Sequence, residues 1–130
     1  LSSEVFIVSL NVAKLAIWDR PFGYGINNYH LAFKKYINEI TITNRITSKL
    51  NVFDASNNLA KMITEFGIFN FLILYIFLKF LFSSKISFEY KFIIFPALFT
   101  QTFLRGAGYF NGGYILYSVL VCYLLYKSKD

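Results

Sequence analysis

The sequence lacks most of the residues from which soluble enzymes build metal and disulfide sites. It holds one cysteine, one histidine and two prolines in 130 residues. The single Cys122 excludes a disulfide within the chain and a metal site made of several cysteines. His30 has no second ligand at metal-binding spacing, and the chain has no phosphate-binding glycine loop and no serine nucleophile elbow. Zinc chemistry and nucleotide hydrolysis are disfavoured, and we expect no metal and no cofactor.

Charged residues are also scarce. They make up 15% of the chain, whereas ordinary soluble domains carry roughly 25%. Hydrophobic residues make up 56% and aromatic residues 21%. A domain of this length cannot bury so much apolar surface, so lipid is the predicted solvent. The net charge of +6 is dispersed along the chain, which disfavours nucleic acid as a partner and suits contact with anionic lipid headgroups.

The hydropathy pattern predicts an all-α integral membrane protein, a helical bundle fragment with about three transmembrane helices and a large polar outer loop. Because the chain begins with Leu1, we expect it to be the C-terminal part of a longer protein. Residues 1–19 predict an amphipathic helix on the membrane surface. Residues 20–65 predict an outer loop and a helix start. The predicted spans are about 66–82, 86–104 and 113–126.

Three local features refine this prediction. Asp54 is a suitable N-cap for the first long helix, and the alternation over residues 40–43 favours a short strand or hairpin arm. Pro96 is expected to kink the second span. Three spans place Lys85, Lys91, Lys127 and Lys129 on one side, which the positive-inside rule assigns to the cytoplasm. The 20–65 loop and the 105–113 turn then share the opposite side.

Polar residues that could carry chemistry occur in three places. "RPFGYGINNYH" (20–30) is either a membrane-proximal turn or a loop that holds Arg20 and His30 near a phosphate or sugar. Asn57, Lys61 and Glu65, at i, i+4 and i+8, predict one polar helix face. This face is either a solvated helix start or the site of a carboxylate that acts as a base.

The third place is the end of the second span. Arg105 lies in the glycine-rich stretch "RGAGYFNGG", where a ligand can approach closely and a guanidinium can bind pyrophosphate with two parallel hydrogen bonds. Its alternative is an arginine that only reaches the membrane interface. Gln101 lies one helical turn earlier on the same predicted face, where it either joins the site or hydrogen-bonds a neighbouring helix.

The order of these motifs resembles the bacterial O-antigen polymerase and ligase superfamily. The matching residues are "PFGYG" at 21–25, Ser56-Asn57, and "EFGI" at 65–68, and the resemblance covers roughly residues 10–82. Ligases of this superfamily carry a histidine where this chain has Ser56, so the resemblance favours a polymerase over a ligase. The stretch "FLRGAGYFNGGY" is also similar to polymerases of this type.

The resemblance implies a multi-pass glycosyltransferase of the bacterial inner membrane with its 20–65 loop in the periplasm. It would polymerise undecaprenyl-diphosphate-linked oligosaccharide repeat units into O-antigen or capsule-type polysaccharide, with a flippase and a chain-length regulator as further partners. Arg105, Glu65 and His30 are the predicted catalytic residues. The predicted substrate-binding residues are Arg20, Tyr24, Asn57, Asn58, Lys61 and Gln101. The alternatives are a membrane segment of a lipid-linked oligosaccharide flippase or transporter, which is not an enzyme, and an O-antigen ligase.

Overall fold

The computed structural model describes residues 2–44, 46–106 and 108–128, so Leu1 and Lys129 of the predictions above lie outside the described residues. The chain folds into helices joined by loops. They are α1 (Ser2–Asp19), α2 (Tyr29–Tyr36), α3 (Asn58–Phe66), α4 (Asn70–Phe82), α5 (Phe88–Phe99) and α6 (Gly112–Lys127). Single tight turns of 3₁₀ helix cover Thr47–Lys49 and Gly67–Phe69, and a π turn covers Thr100–Leu104. The predicted all-α fold is confirmed.

The first core joins α1, α2 and α3. Small and branched side chains recur along one face of α1, and they pack against aromatic residues of α2 and the start of α3. The α1 members are Val8, Val12, Ala13 and Ala16. This i, i+3, i+4 spacing is that of an amphipathic helix, but the apolar stripe is buried against protein. The helix over 2–19 is as expected, but the apolar side chains of α1 that remain exposed are others, including Ile7 and Trp18.

The second core lies among α4, α5 and α6 and includes Phe80, Ile94, Leu98 and Val121. Helices α3 and α4 run on through the 3₁₀ turn as one helical stretch, Asn58–Phe82. Among the described residues this stretch alone is long and apolar enough to cross a membrane, and Gly112–Lys127 is a shorter apolar helix. The predicted span at 66–82 lies in the long stretch. The spans predicted at 86–104 and 113–126 form helices that do not meet that length.

Three local predictions are corrected. No strand forms in the described part of the chain, and residues 40–43 have no regular secondary structure. The outer loop also contains α2, where an irregular chain was expected; its buried face consists of Tyr29, Ala32, Phe33 and Tyr36, at helical spacing. Helix α3 begins after Asn57, whose side-chain oxygen accepts a hydrogen bond from the Ala60 N–H at 2.8 Å. Asn57 is therefore the N-cap in place of Asp54.

The second predicted span changes its winding after Pro96. Pro96 lies inside α5, and the helix widens into the π turn before it ends at Leu104. Proline removes the N–H that would bond the carbonyl four residues earlier in the helix. Arg105 follows in an extended conformation and its N–H donates to the Thr100 carbonyl at 2.8 Å. The sequence predicted that Gln101 and Arg105 share one face of a regular α-helix. The π turn between them means that they do not.

Candidate functional site

The two motifs of the resemblance fit together backbone against backbone. The Tyr24 and Gly25 N–H groups donate to the carbonyls of Thr64 and Glu65 at 2.9 and 3.0 Å. In return the Ile68 N–H donates to the Pro21 carbonyl at 2.8 Å. The loop 20–30 is therefore fixed along the end of α3.

Two glycines make this close contact possible. Gly23 and Gly67 both adopt positive φ, at 85° and 55°. A Cβ atom at Gly23 would lie well inside 3.0 Å of the Glu65 carbonyl, and one at Gly67 would overlap the Pro21 carbonyl in the same way. Both positions need glycine for conformation and for space. This explains the glycines of both motifs in physical terms.

The buried Glu65 side chain also binds the loop to α3. Its carboxylate accepts hydrogen bonds from the Asn27 N–H at 2.9 Å and the Tyr29 N–H at 3.0 Å. The Tyr109 hydroxyl donates to the same carboxylate. Glu65 is only 1% exposed, so it does not reach a substrate hydroxyl in this arrangement. The geometry is that of a carboxylate that orders a loop through charge-assisted hydrogen bonds.

Tyr109 connects this contact to the turn before α6. Burial, together with its hydrogen bond to Glu65, raises the pKa of the Tyr109 hydroxyl well above its ordinary value. The phenol therefore stays protonated at neutral pH and remains a donor. Its ring also lies 5.5 Å from the Lys61 ammonium, within range of a cation–π interaction.

Lys61 and Asp54 form a half-buried ion pair beside Tyr109. Their nitrogen and oxygen are 2.9 Å apart; the Lys61 side chain is 3% exposed and the Asp54 side chain 59%. The Lys61 ammonium is thus buried beside Asp54, while the Asp54 carboxylate faces outward. The polar face predicted on α3 exists, but Asn57, Lys61 and Glu65 are all buried, which rules out the solvated helix start.

Arg105 lies on a surface pocket next to this pair. The pocket has a volume of about 610 Å³, and its polar lining includes Ser2, Asn51, Asp54, Ser56 and Arg105. The Gly106 N–H donates to the Ser56 carbonyl at 3.3 Å, which attaches the Arg105 turn to the start of α3. The structure therefore places the exposed Arg105 and the exposed Asp54 carboxylate around one pocket, as the topology had suggested for Arg105 and the outer loop.

Arg20 and Tyr24 belong to another cluster, around Asp19. The Tyr24 hydroxyl donates to Asp19 at 2.9 Å, and the Arg20 guanidinium stacks over the Tyr24 ring at 4.6 Å. Lys35 completes the cluster with an ion pair to Asp19 at 2.8 Å. Hydrogen bonds from Lys35, Tyr36 and Tyr24 hold the pKa of Asp19 well below its ordinary range. Tyr24 is thus engaged by protein, whereas the side chain of Arg20 is largely exposed.

The remaining predicted residues are enclosed or half-buried. Asn57 and Asn58 are fully buried, so neither amide is available to a sugar in this arrangement. Within the described residues the Asn57 Nδ2 and both polar atoms of the Asn58 side chain have no hydrogen-bond partner. His30 is half-buried, its Nδ1 is buried without a partner, and its ring packs against Phe53. Gln101 is half-buried in the π turn.

An apolar cleft lies beneath the polar residues. It has a volume of about 370 Å³ and runs between α3, α4, the π turn and α6. Its lining includes Asn70, Phe77, Thr102, Tyr109, Tyr114 and Cys122. Tyr109 is common to the cleft and to the Glu65 contact. Most of the cleft lining is apolar.

Comparison of the chain with protein-family models, curated proteins and solved structures finds no match. The residues described also contain no group of three or more histidine, cysteine, aspartate or glutamate side chains that could hold a metal ion. The site must therefore be judged on its own geometry.

Sequence reasoning missed two residues of this site. Asp54 was interpreted as a helix cap, and its pairing with Lys61 gave no signal, because residues seven apart on a helix are about 10 Å apart. The pair forms because Asp54 lies in the loop before α3. Tyr109 gave no signal, because its partner Glu65 is 44 residues away in sequence. Only the packing of the 105–113 turn against α3 brings the two together.

Proposed function

We propose that the chain belongs to a membrane glycosyltransferase that polymerises undecaprenyl-diphosphate-linked oligosaccharide repeat units at the periplasmic face. The proposal rests on the direct contact between the two motifs of the resemblance, "PFGYG" and "EFGI". Loop 20–30 and the end of α3 form one folded unit through Gly23, Gly67 and Glu65. The exposed Arg105 and Asp54 lie around a pocket next to that unit.

The reaction breaks one bond and forms one. The anomeric carbon of the growing chain separates from the diphosphate oxygen of its lipid carrier, and a sugar hydroxyl of the next unit bonds to that carbon. The diphosphate leaves with the electron pair and gains negative charge. Arg105 can stabilise this charge with its fixed fork of donors, without a metal.

The hydroxyl proton needs an acceptor that substrate can reach. Glu65 is enclosed and already accepts three hydrogen bonds, so we assign it to positioning the loop. Asp54 is the better acceptor, because its carboxylate is exposed on the Arg105 pocket while Lys61 holds it in place. The role of general base therefore passes from Glu65 to Asp54 in this proposal.

The apolar cleft supports a lipid-linked substrate. An isoprenoid chain is a hydrocarbon, so it can occupy an apolar cleft without leaving a polar group unpaired. A chain in the cleft has its head near Tyr109, which touches both Glu65 and, through its ring, Lys61. The substrate head is thereby brought to the polar side of the fold.

The proposal for Asp54 is tested by Asp54→Asn, with Glu39→Gln as the control because Glu39 is an exposed carboxylate of the same outer loop. Loss of a general base lowers rates by about 10²–10⁴-fold. We expect the Asp54 variant, at normal protein amounts, to accumulate single repeat units, while the control makes polymer of normal length. Normal polymer in the Asp54 variant would exclude the assignment.

A flippase or transporter is the alternative, and deletion of the gene separates the two. A polymerase acts after the repeat unit has crossed the membrane, so its loss leaves single repeat units on surface glycan and removes long polymer. A flippase acts before, so its loss removes all surface repeats. Glycan analysis by gel and mass spectrometry reads out the difference.

A further inference from the structure

Loop 20–30 carries large apolar side chains on its outside. Phe22 and Ile26 are exposed, Phe22 to 69%. The Phe22 ring packs against Phe69 at 6.1 Å between centroids, and Phe69 is itself exposed. Ile68, whose N–H binds the Pro21 carbonyl, adds a further exposed apolar side chain. We refer to Phe22, Ile26, Ile68 and Phe69 as the loop patch.

The loop patch continues the apolar surface of the long helix. Directly after Phe69, the side chains of Phe71, Leu72 and Ile73 on α4 are also exposed. A helix needs about 20 residues to cross the hydrocarbon layer. Counting 20 residues back from Phe82, the end of α4, reaches Ile63. The carbonyls of Thr64 and Glu65, which bind the loop, therefore fall inside the edge of that layer.

Backbone at this depth must have its polar groups paired within the protein. Much of the loop backbone is paired in this way: the Tyr24 and Gly25 N–H groups and the Pro21 carbonyl have partners on the α3–α4 stretch. The Asn27 and Tyr29 N–H groups are bound by the Glu65 carboxylate. Arg20 lies at the start of the loop with an exposed side chain that can reach lipid phosphate.

We propose that loop 20–30 inserts into the bilayer, with the loop patch about 5–10 Å below the headgroup boundary. The occupant of the patch is phospholipid, and a second copy of the chain is the competing occupant. This places the Glu65 contact just inside the edge of the hydrocarbon layer. The proposal goes beyond the polymerase function and rests only on the helix 58–82 crossing the membrane.

The chain offers a direct test because it contains one tryptophan, Trp18. Trp18→Phe combined with Phe22→Trp moves the only indole into the loop patch. Trp18→Phe with Phe53→Trp is the matched control, because Phe53 is 63% exposed but outside the patch. Trp18→Phe with Ile26→Trp is a second probe of the patch. All three substitutions replace exposed side chains, so the fold has room for the indole.

Each variant is reconstituted into phosphatidylcholine–phosphatidylglycerol vesicles, with and without lipids brominated along the chain, and treated with aqueous acrylamide. We expect blue-shifted emission and strong bromolipid quenching for the indoles at positions 22 and 26. The indole at position 53 should instead be quenched by acrylamide. Two outcomes would overturn the proposal: acrylamide quenching at position 22 equal to that at 53, or blue-shifted emission at position 22 that bromolipids do not quench, which indicates contact with protein.

Discussion

The Glu65 carboxylate gives the sharpest prediction about the fold of the site. Glu65→Gln keeps the size of the side chain but leaves one acceptor oxygen where there were two. The glutamine oxygen can face the Tyr29 N–H, and its NH₂ group can donate to the Tyr109 oxygen. The Asn27 N–H then points at a donor, and every remaining hydrogen bond loses the charge on its acceptor.

The magnitude follows from these three hydrogen bonds. A bond to a charged group contributes about 1.5–3 kcal/mol and a neutral one about 0.5–1.5, while a buried unpaired N–H costs about 1–3. The sum predicts that the free energy holding the loop on α3 falls by about 3–5 kcal/mol. Since 1.4 kcal/mol is tenfold, the Asn27 and Tyr29 amides should exchange with deuterium at least roughly a hundredfold faster.

Hydrogen exchange followed by mass spectrometry measures this in detergent-solubilised protein. Glu39→Gln removes an exposed carboxylate from the same outer loop and should leave peptide 21–30 unchanged. The α6 peptides serve as an internal reference, because α6 packs in the second core. Equal exchange of peptide 21–30 in the Glu65 and Glu39 variants would refute the loop-ordering role of Glu65.

Three further predictions concern packing, pH and the Tyr109 bond. Gly67→Ala should lower the yield of folded protein and its thermal midpoint because its Cβ overlaps backbone, whereas Gly112→Ala meets nothing within 4 Å and should be neutral. Hydrogen bonds from the Thr47 hydroxyl and, to a smaller extent, from two backbone N–H groups lower the pKa of Glu4. The stability that this contact contributes is therefore present above the ordinary pKa of 4.5 and is lost as pH falls below it. Limited proteolysis of residues 43–47 at a series of pH values should show the loss. The Glu4→Gln variant should not show this pH dependence. Tyr109→Phe deletes one donor to a charged acceptor and should lower stability by about 1.5–3 kcal/mol, measured by thermal unfolding.

The helices could be predicted where one residue pattern determined them. The apolar run from Phe66 to Phe82 and the glycine-flanked helix at 113–126 were placed within a few residues of their observed ends. Helix α2 was missed because "YHLAFKKY" is only eight residues long, and its stability comes from Tyr29 and Phe33 packing on α1. Short helices draw their stability from such packing, which one segment of sequence does not reveal.

The contact between the two motifs was predictable, whereas the roles of the residues that form it were not. The "PFGYG" and "EFGI" motifs were expected to form one site, and they contact each other directly. The role of Glu65 could not be derived, since burial depends on the whole fold and both donor amides lie 36 or more residues away. The role of Asp54 also depends on the whole fold. Its carboxylate pairs with Lys61 and does not cap the first turn of the helix.

The most direct test of the proposed function is polymer length in cells that carry Arg105→Ala. Arg105→Lys keeps the charge but loses the guanidinium fork, and Lys49→Ala removes an exposed cation elsewhere in the outer loop. At equal protein amounts, the account predicts single repeat units in the alanine variant, shortened polymer in the lysine variant, and normal polymer in the Lys49 control. Normal polymer length with Arg105→Ala would contradict it.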